Sequence, residues 1–120
     1  HSLRGFIARV NAIRHAHPAL QQDRDFRFHH VDNQGLLAYS KRDPVSGDTI
    51  LTVVNLDPDH TQSGWLWLDV GALGLEQDET YTVRDLLAEG TYTWQGPHNF
   101  VLIDPHVTPA HVFEVRSKRR

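Results

Sequence analysis

Three groups of side chains in this sequence have types and spacings that could do chemistry. The first is Trp65-x-Trp67. Residues two apart on a β-strand share a face and sit about 6–7 Å apart. Aromatic faces so spaced can stack on sugar rings through ring C–H contacts with the π face. Rings packed in a core, or against an adjoining domain, would show the same spacing. Trp94 is read as core, beside Tyr92 or Phe100. The second group is the carboxylates Asp57, Asp59, Asp69, Asp85 and Asp104. Glycosidic chemistry needs an acid and a nucleophile or base roughly 5–9 Å apart. Asp57 and Asp104 each precede a proline in a turn, where Asp serves the backbone. No self-contained active site is expected, and no residue is assigned as catalytic. The third group is nine histidines, close together only at His15-x-His17 and His29-His30. The first pair ends a helix, and the second points to opposite strand faces. There is no H-E-x-x-H, P-loop, G-x-S-x-G elbow or dinucleotide fingerprint. The histidines are read as surface or capping groups, with no metal and no cofactor expected.

Composition narrows the classes further. A chain of 120 residues is enough for one domain. Its apolar fraction of 39% and charged fraction of 22% are ordinary for a globular protein. A formal charge of -3 argues against nucleic acid, which needs a basic stripe. The only basic cluster, 116–120, reads as a solvated tail. No apolar run approaches the ~20 residues that span a membrane, so no membrane partner is expected. The absence of cysteine excludes disulfides and fits a cytoplasmic protein. The chain begins at His1 and has no methionine, so a piece of a longer chain is expected.

The elements that would position these residues can be placed in outline. Leu3, Phe6, Ile7, Val10 and Ile13 repeat at i, i+3, i+4 and i+7, predicting a helix over 2–17, capped by Ser2 and ended by Pro18. Its apolar stripe must cover one end of the β structure or a neighbouring domain. Residues 19–24 read as a connection. The run from Thr49 to Pro58 is apolar on both parities, as in a central strand buried on both faces. Around it, strands are predicted over 25–30, 36–41, 64–70, 81–87, 91–94, 99–103 and 110–115, separated by turn residues. Trp65, Trp67 and Asp69 share one face of their strand. The 99–103 run has apolar residues on both faces. The expected fold is mostly β: an antiparallel two-sheet sandwich with Greek-key connections, preceded by one α-helix.

Several motifs carry a resemblance. Asn11-Ala12-Ile13-Arg14 followed by His17-Pro18-Ala19-Leu20 is similar to the end of the last barrel helix in the α-amylase family, glycoside hydrolase family 13. Phe28-His29-His30-Val31-Asp32-Asn33, Leu37-Ala38-Tyr39-Ser40-Lys41 and Val53-Val54-Asn55-Leu56-Asp57-Pro58 with His60-Thr61-Gln62 resemble one subgroup, the bacterial α-1,4-glucan:maltose-1-phosphate maltosyltransferases. Asp85-Leu86-Leu87, Thr91-Tyr92-x-Trp94, Asn99-Phe100-Val101-Leu102 and Asp104-Pro105 with Ala110-His111-Val112 continue the likeness. One departure is Ala88-Glu89-Gly90, where the subgroup pattern has Thr-Gly-Glu.

The resemblance implies a fragment. Residues 1–20 would be the last helix of a missing (β/α)8 barrel with its linker, and 21–120 the C-terminal β-sandwich. Leu3, Phe6, Ile7, Val10 and Ile13 would face the barrel. The parent would be a retaining glycosyltransferase that moves maltosyl units from α-maltose 1-phosphate onto α-1,4-glucan in glycogen-type synthesis. Its catalytic carboxylates match no position in this chain. The implied partners are the barrel of the same chain, α-1,4-glucan, maltose 1-phosphate and a second copy in a homodimeric parent. The implied role of the fragment is to cover and brace the barrel. Two alternatives stand beside it: an autonomous α-glucan-binding module using Trp65 and Trp67, and the C-terminal domain of another α-amylase-family enzyme such as trehalose synthase.

Overall fold

The computed structural model describes residues 3–22 and 25–118, without the side chains of Leu3, Arg4 and Phe6. The chain opens with helix α1 (Leu3–Ala16), as its apolar spacing predicts. The cap expected at Ser2 lies outside the described residues. Pro18 lacks an N–H and disfavours helical geometry at His17, whose φ of -123° and ψ of 108° are extended. The chain then makes a 3-10 turn over Pro18–Gln21, within the stretch expected to be a plain connection. Eight strands follow: β1 (Phe26–Val31), β2 (Leu36–Arg42), β3 (Thr49–Asn55), β4 (Gln62–Trp67), β5 (Thr80–Asp85), β6 (Thr91–Gln95), β7 (His98–Ile103) and β8 (Ala110–Ser117). The strand predicted over 64–70 ends at Trp67. Asp69 instead accepts the Ala72 N–H and caps a second 3-10 turn, Val70–Leu73.

The mostly-β, antiparallel, one-helix expectation matches what is seen. The strands pair antiparallel in one order, β6-β5-β8-β3-β2-β1-β4-β7. Two separately bonded sheets were expected, whereas here the layers are joined. β1 pairs with β2 through Phe26 to His29, then with β4 through His30 and Val31. One strand therefore crosses from layer to layer. The two ends of the order, β6 and β7, are joined in sequence by Gly96-Pro97. Tyr81 on β5 donates its hydroxyl proton to the Gly96 carbonyl, and Asn99 Nδ2 on β7 donates to both the Tyr81 oxygen and the Gly96 carbonyl. The sheet thus curls close to a barrel, the arrangement that leaves the fewest unpaired edges.

Inside the curl lies one apolar cluster. It takes Leu51 and Val53 from β3, Phe113 and Val115 from β8, Tyr81 and Val83 from β5, Leu66 from β4, and Val101 and Ile103 from β7. Burying each such side chain is worth about 1.5–3 kcal/mol. Leu73 and Leu75, from a predicted loop, join the same cluster. The two-sided burial read for the central strand is present in β3. Leu51 and Val53 face the cluster, while Ile50 and Thr52 are buried on the other side. Part of the second covering layer is the chain's own 3-10 turn, which packs on β2 and β3. Leu56, just past the strand, is exposed.

Candidate functional site: an aromatic face on strands β4 and β7

Alternation along β4 turns Leu66 inward and Ser63, Trp65 and Trp67 outward. β7 alternates in the same way, with Asn99, Val101 and Ile103 inward and His98, Phe100 and Leu102 outward. The apolar pattern of 99–103 suggested burial on both faces, but Phe100 and Leu102 are about half exposed. Register places Trp65 opposite Phe100 and Trp67 opposite His98, with His30 of β1 on the other side of Trp67. The His98 ring stacks on Trp67 at 3.8 Å between centroids and 17° between planes. Trp65 touches His98 at 4.5 Å and meets Phe100 edge to face at 5.4 Å. Trp65 is 42% exposed and Trp67 48%, so neither ring belongs to this domain's core. The sequence pointed to both tryptophans but missed His30, His98 and Phe100. Only the β1–β4 and β4–β7 register assembles them, and no local pattern encodes it. Trp94 is half-buried against Tyr81 and Phe113, rather than beside Phe100.

A smaller aromatic group lies further along the same outward surface. Phe26 stacks on Tyr39 at 5.1 Å and meets Phe28 edge to face, with the Lys41 ammonium 5.9 Å from the Phe26 ring. The expected barrel-facing stripe on α1 is partly open. Ile7 is exposed, and Val10 and Ile13 are half-buried. Leu3 and Phe6 side chains fall outside the described set.

Three histidines expected on the surface or as caps are instead structural. His29 lies between the layers. Its Nδ1 accepts the Asp69 N–H at 3.0 Å, so the ring proton sits on Nε2 and donates to Ser40 Oγ at 2.7 Å. Burial drives its pKa down to about 4, helped by Arg27 and opposed by Asp69, and the ring is neutral at pH 7. His111 on β8 faces the Asp85 carboxylate at 2.8 Å and the Leu102 carbonyl at 3.2 Å. Burial alone would lower its pKa, but these two acceptors outweigh burial and hold it above the ordinary value. Burial likewise resists the Asp85 charge. Hydrogen bonds from His111 and from the N–H groups of Leu87 and Ala88 prevail, holding this carboxyl below the usual range. His17 is the third. Its Nδ1 meets Asp48 at 2.9 Å and its Nε2 lies 3.9 Å from Glu114, while the other Asp48 oxygen accepts the Ala19 N–H.

His17, Asp48 and Glu114 are the one group of three possible metal ligands among the described residues. One ring nitrogen of His17 and one oxygen from each carboxylate lie within 4.8 Å of one another, and the two ring nitrogens face different carboxylates. That geometry makes a clamp between the 3-10 turn, the start of β3 and the outer face of β8. A cavity of about 330 Å³ nearby is lined by charges of both signs, Arg42, Asp48, Glu114 and Arg116 among them. Four of the five candidate carboxylates are engaged locally. Asp57 accepts bonds from Asp59, His60 and Gln62 in its turn, and Asp104 accepts the His106 N–H. Asp69 caps the second 3-10 turn and bonds Arg27, and Asp85 holds His111.

The family model described as GLGE, C-terminal, matches residues 28–115. The chain belongs to that family. It is 49% identical over 114 residues to an alpha-1,4-glucan:maltose-1-phosphate maltosyltransferase of Mycolicibacterium smegmatis, covering 95% of this chain and 16% of that protein. It is 46% identical over 114 residues to the enzyme of that name from Methylacidiphilum infernorum, covering 95% of this chain and 17% of the relative. The maltosyltransferase numbered 2 of Streptomyces coelicolor is 48% identical over 110 residues, covering 92% and 16%. The chain therefore spans about one sixth of the length of these GLGE relatives. A solved Anoxybacillus alpha-amylase shares the fold, with a TM-score of 0.68 over 95% of this chain and 22% of that one, at 18% identity.

Proposed function

We propose that this chain is the non-catalytic C-terminal domain of a maltosyltransferase that moves maltosyl units from α-maltose 1-phosphate onto α-1,4-glucan in glycogen-type synthesis. On this reading residues 1–20 belong to the last barrel helix and linker. Residues 21–120 are an accessory domain of the α-amylase C-terminal type, two facing layers joined through β1. The parent is a cytoplasmic enzyme that needs no cofactor. No helix among the described residues is long and apolar enough to cross a membrane. The observation that carries the reading is the near-complete alignment of this chain with maltosyltransferases six times its length.

The structure supports a bracing role through α1. The helix leads directly into the 3-10 turn on β2 and β3 and the His17 clamp to Asp48 and Glu114. Arg9 Nη1 on α1 also donates to the Leu87 carbonyl at 2.6 Å. A barrel ending in α1 would be held at these points, with Ile7, Val10 and Ile13 turned toward it. The test is phosphate release from α-maltose 1-phosphate with maltoheptaose as acceptor. The parent chain is expected to release phosphate, and the 120-residue chain none above the blank. Turnover by the 120-residue chain would overturn the accessory role.

A further inference from the structure

We propose that the outward face of β4 and β7 is a surface binding site for α-1,4-linked gluco-oligosaccharide. Trp65 and Trp67 are its stacking rings, and His30 and His98 its hydroxyl partners. The ligand class rests on the reading that the parent acts on α-1,4-glucan. The site itself rests on its location, taken together with the proposed barrel attachment, and on three features of the structure.

The first is location. β3 and β8 send Leu51, Val53, Phe113 and Val115 into the same cluster that receives Leu66, Val101 and Ile103 from β4 and β7. Strand pairs that share one core between them turn their outer faces in opposite directions. The outer face of β3 and β8 carries the 3-10 turn and the link to α1. On the reading that a barrel joins through α1, it would meet that side and leave the tryptophan side open.

The second is charge. The outward residues of β4 and β7 are Ser63, Trp65, Trp67, His98, Phe100 and Leu102, none with a fixed charge. A nucleic acid or an anionic lipid surface would need cations here. A neutral, hydroxyl-rich ligand needs none.

The third is unused polarity. The ring nitrogens of His30 and His98 make no hydrogen bond to any described residue. They flank Trp67 across three adjacent strands. Each can accept a hydroxyl proton or donate one. Apolar rings beside a few polar groups suit an amphipathic small ligand.

The fourth is order. The rings support one another through the His98–Trp67 stack and the Phe100–Trp65 edge contact on paired strands. Little rotamer freedom is left to lose on binding.

Tryptophan fluorescence of the 120-residue chain, titrated with maltoheptaose, tests the proposal. A saturable change is expected. Trp65→Ala and Trp67→Ala should each weaken it at least tenfold, and His98→Ala at least threefold. All three positions are partly exposed, and a single cooperative melting transition verifies that each variant is folded. A flat titration of the wild-type chain overturns the proposal, as does unaltered affinity in the Trp65→Ala and Trp67→Ala variants. Sedimentation velocity is run in parallel. A dimer lost in Trp67→Ala, without a sugar response, assigns the face to a second copy and also overturns it. In the parent enzyme, Trp67→Ala should lower the ratio of kcat/KM for long over short glucan acceptors at least threefold, and an unaltered ratio counts against the site. A parent with no transferase activity would sink the functional reading while leaving the binding isotherm standing.

Discussion

The two outer faces of the curled sheet differ in what covers them. On β3 and β8 the outer positions Ile50, Thr52 and Glu114 are buried and Val54 and Val112 half-buried, on the side that carries the chain's own 3-10 turn and the His17 clamp. On β4 and β7 they are aromatic and half exposed. Both faces carry apolar residues that the sequence pattern offers to a core. What separates them is whether a later or earlier segment returns to cover the strand. Apolar character on the outward parity of a strand is therefore a statement about having a neighbour, and the neighbour must be identified separately.

The comparison is open to direct test in urea unfolding. Ile50→Ala removes a side chain that is 1% exposed and is expected to cost about 2–5 kcal/mol. A loss below ~1 kcal/mol would show that the 3-10 turn does not seal this face. Acid should act through His29. Its folded pKa of about 4 lies below the ordinary 6.5, so the unfolded chain takes up this proton first. The contribution is complete above pH 6.5 and declines as the pH falls toward 4, by up to about 3 kcal/mol. His111 behaves oppositely. Its raised pKa gives a contribution fully present below 6.5 and lost as the pH rises through the folded value. Asp85, held low, contributes above the ordinary carboxyl range and loses that contribution as the pH falls through its folded pKa. Imidazole C–H signals followed by NMR should therefore titrate near pH 4 for His29 and above 6.5 for His111.

Removing the clamp with His17→Ala leaves Asp48 and Glu114 without their shared partner, at about 1–3 kcal/mol, again read from urea midpoints. A gain is expected at one turn. Glu89 has φ of 64°, in the left-handed region that side chains other than glycine resist. It stands where the subgroup pattern places glycine, so Glu89→Gly should stabilise by about 0.5–1 kcal/mol, raising the melting midpoint. A modest loss belongs to the open face. Trp67→Ala gives up the His98 stack and should cost about 0.5–1.5 kcal/mol, against the severe cost at Ile50. A large loss there would mean that the ring is part of the fold and not a surface platform.

Much of the architecture was legible because it is local. The alternation of Trp65-Leu66-Trp67, the double-sided run of β3 and the apolar stripe of α1 each follow from a period of 2 or 3.6. The 3-10 turns were missed because their short runs imitate loops. Continuity of the two layers depends on β1 dividing its partners at His30, a choice made by distant strands. The same reason hid half of the candidate site, since His30 and His98 are 68 positions apart and meet only across Trp67. The histidines misled in a different way. Adjacent His29 and His30 do point to opposite faces, as predicted, but only the folded layers show that one of those faces is interior. The Ala88-Glu89-Gly90 departure left its turn undefined until the backbone showed position 89 itself in the glycine conformation.

Because β1 is a member of both layers, neither can melt and leave the other standing. Heating should give one calorimetric peak whose van't Hoff and calorimetric enthalpies agree. A sugar seated on the tryptophans would then raise the transition temperature of the whole domain, including the distant side that grips the helix. The shared strand makes any ligand on the open face a thermal brace for the helix on the opposite side.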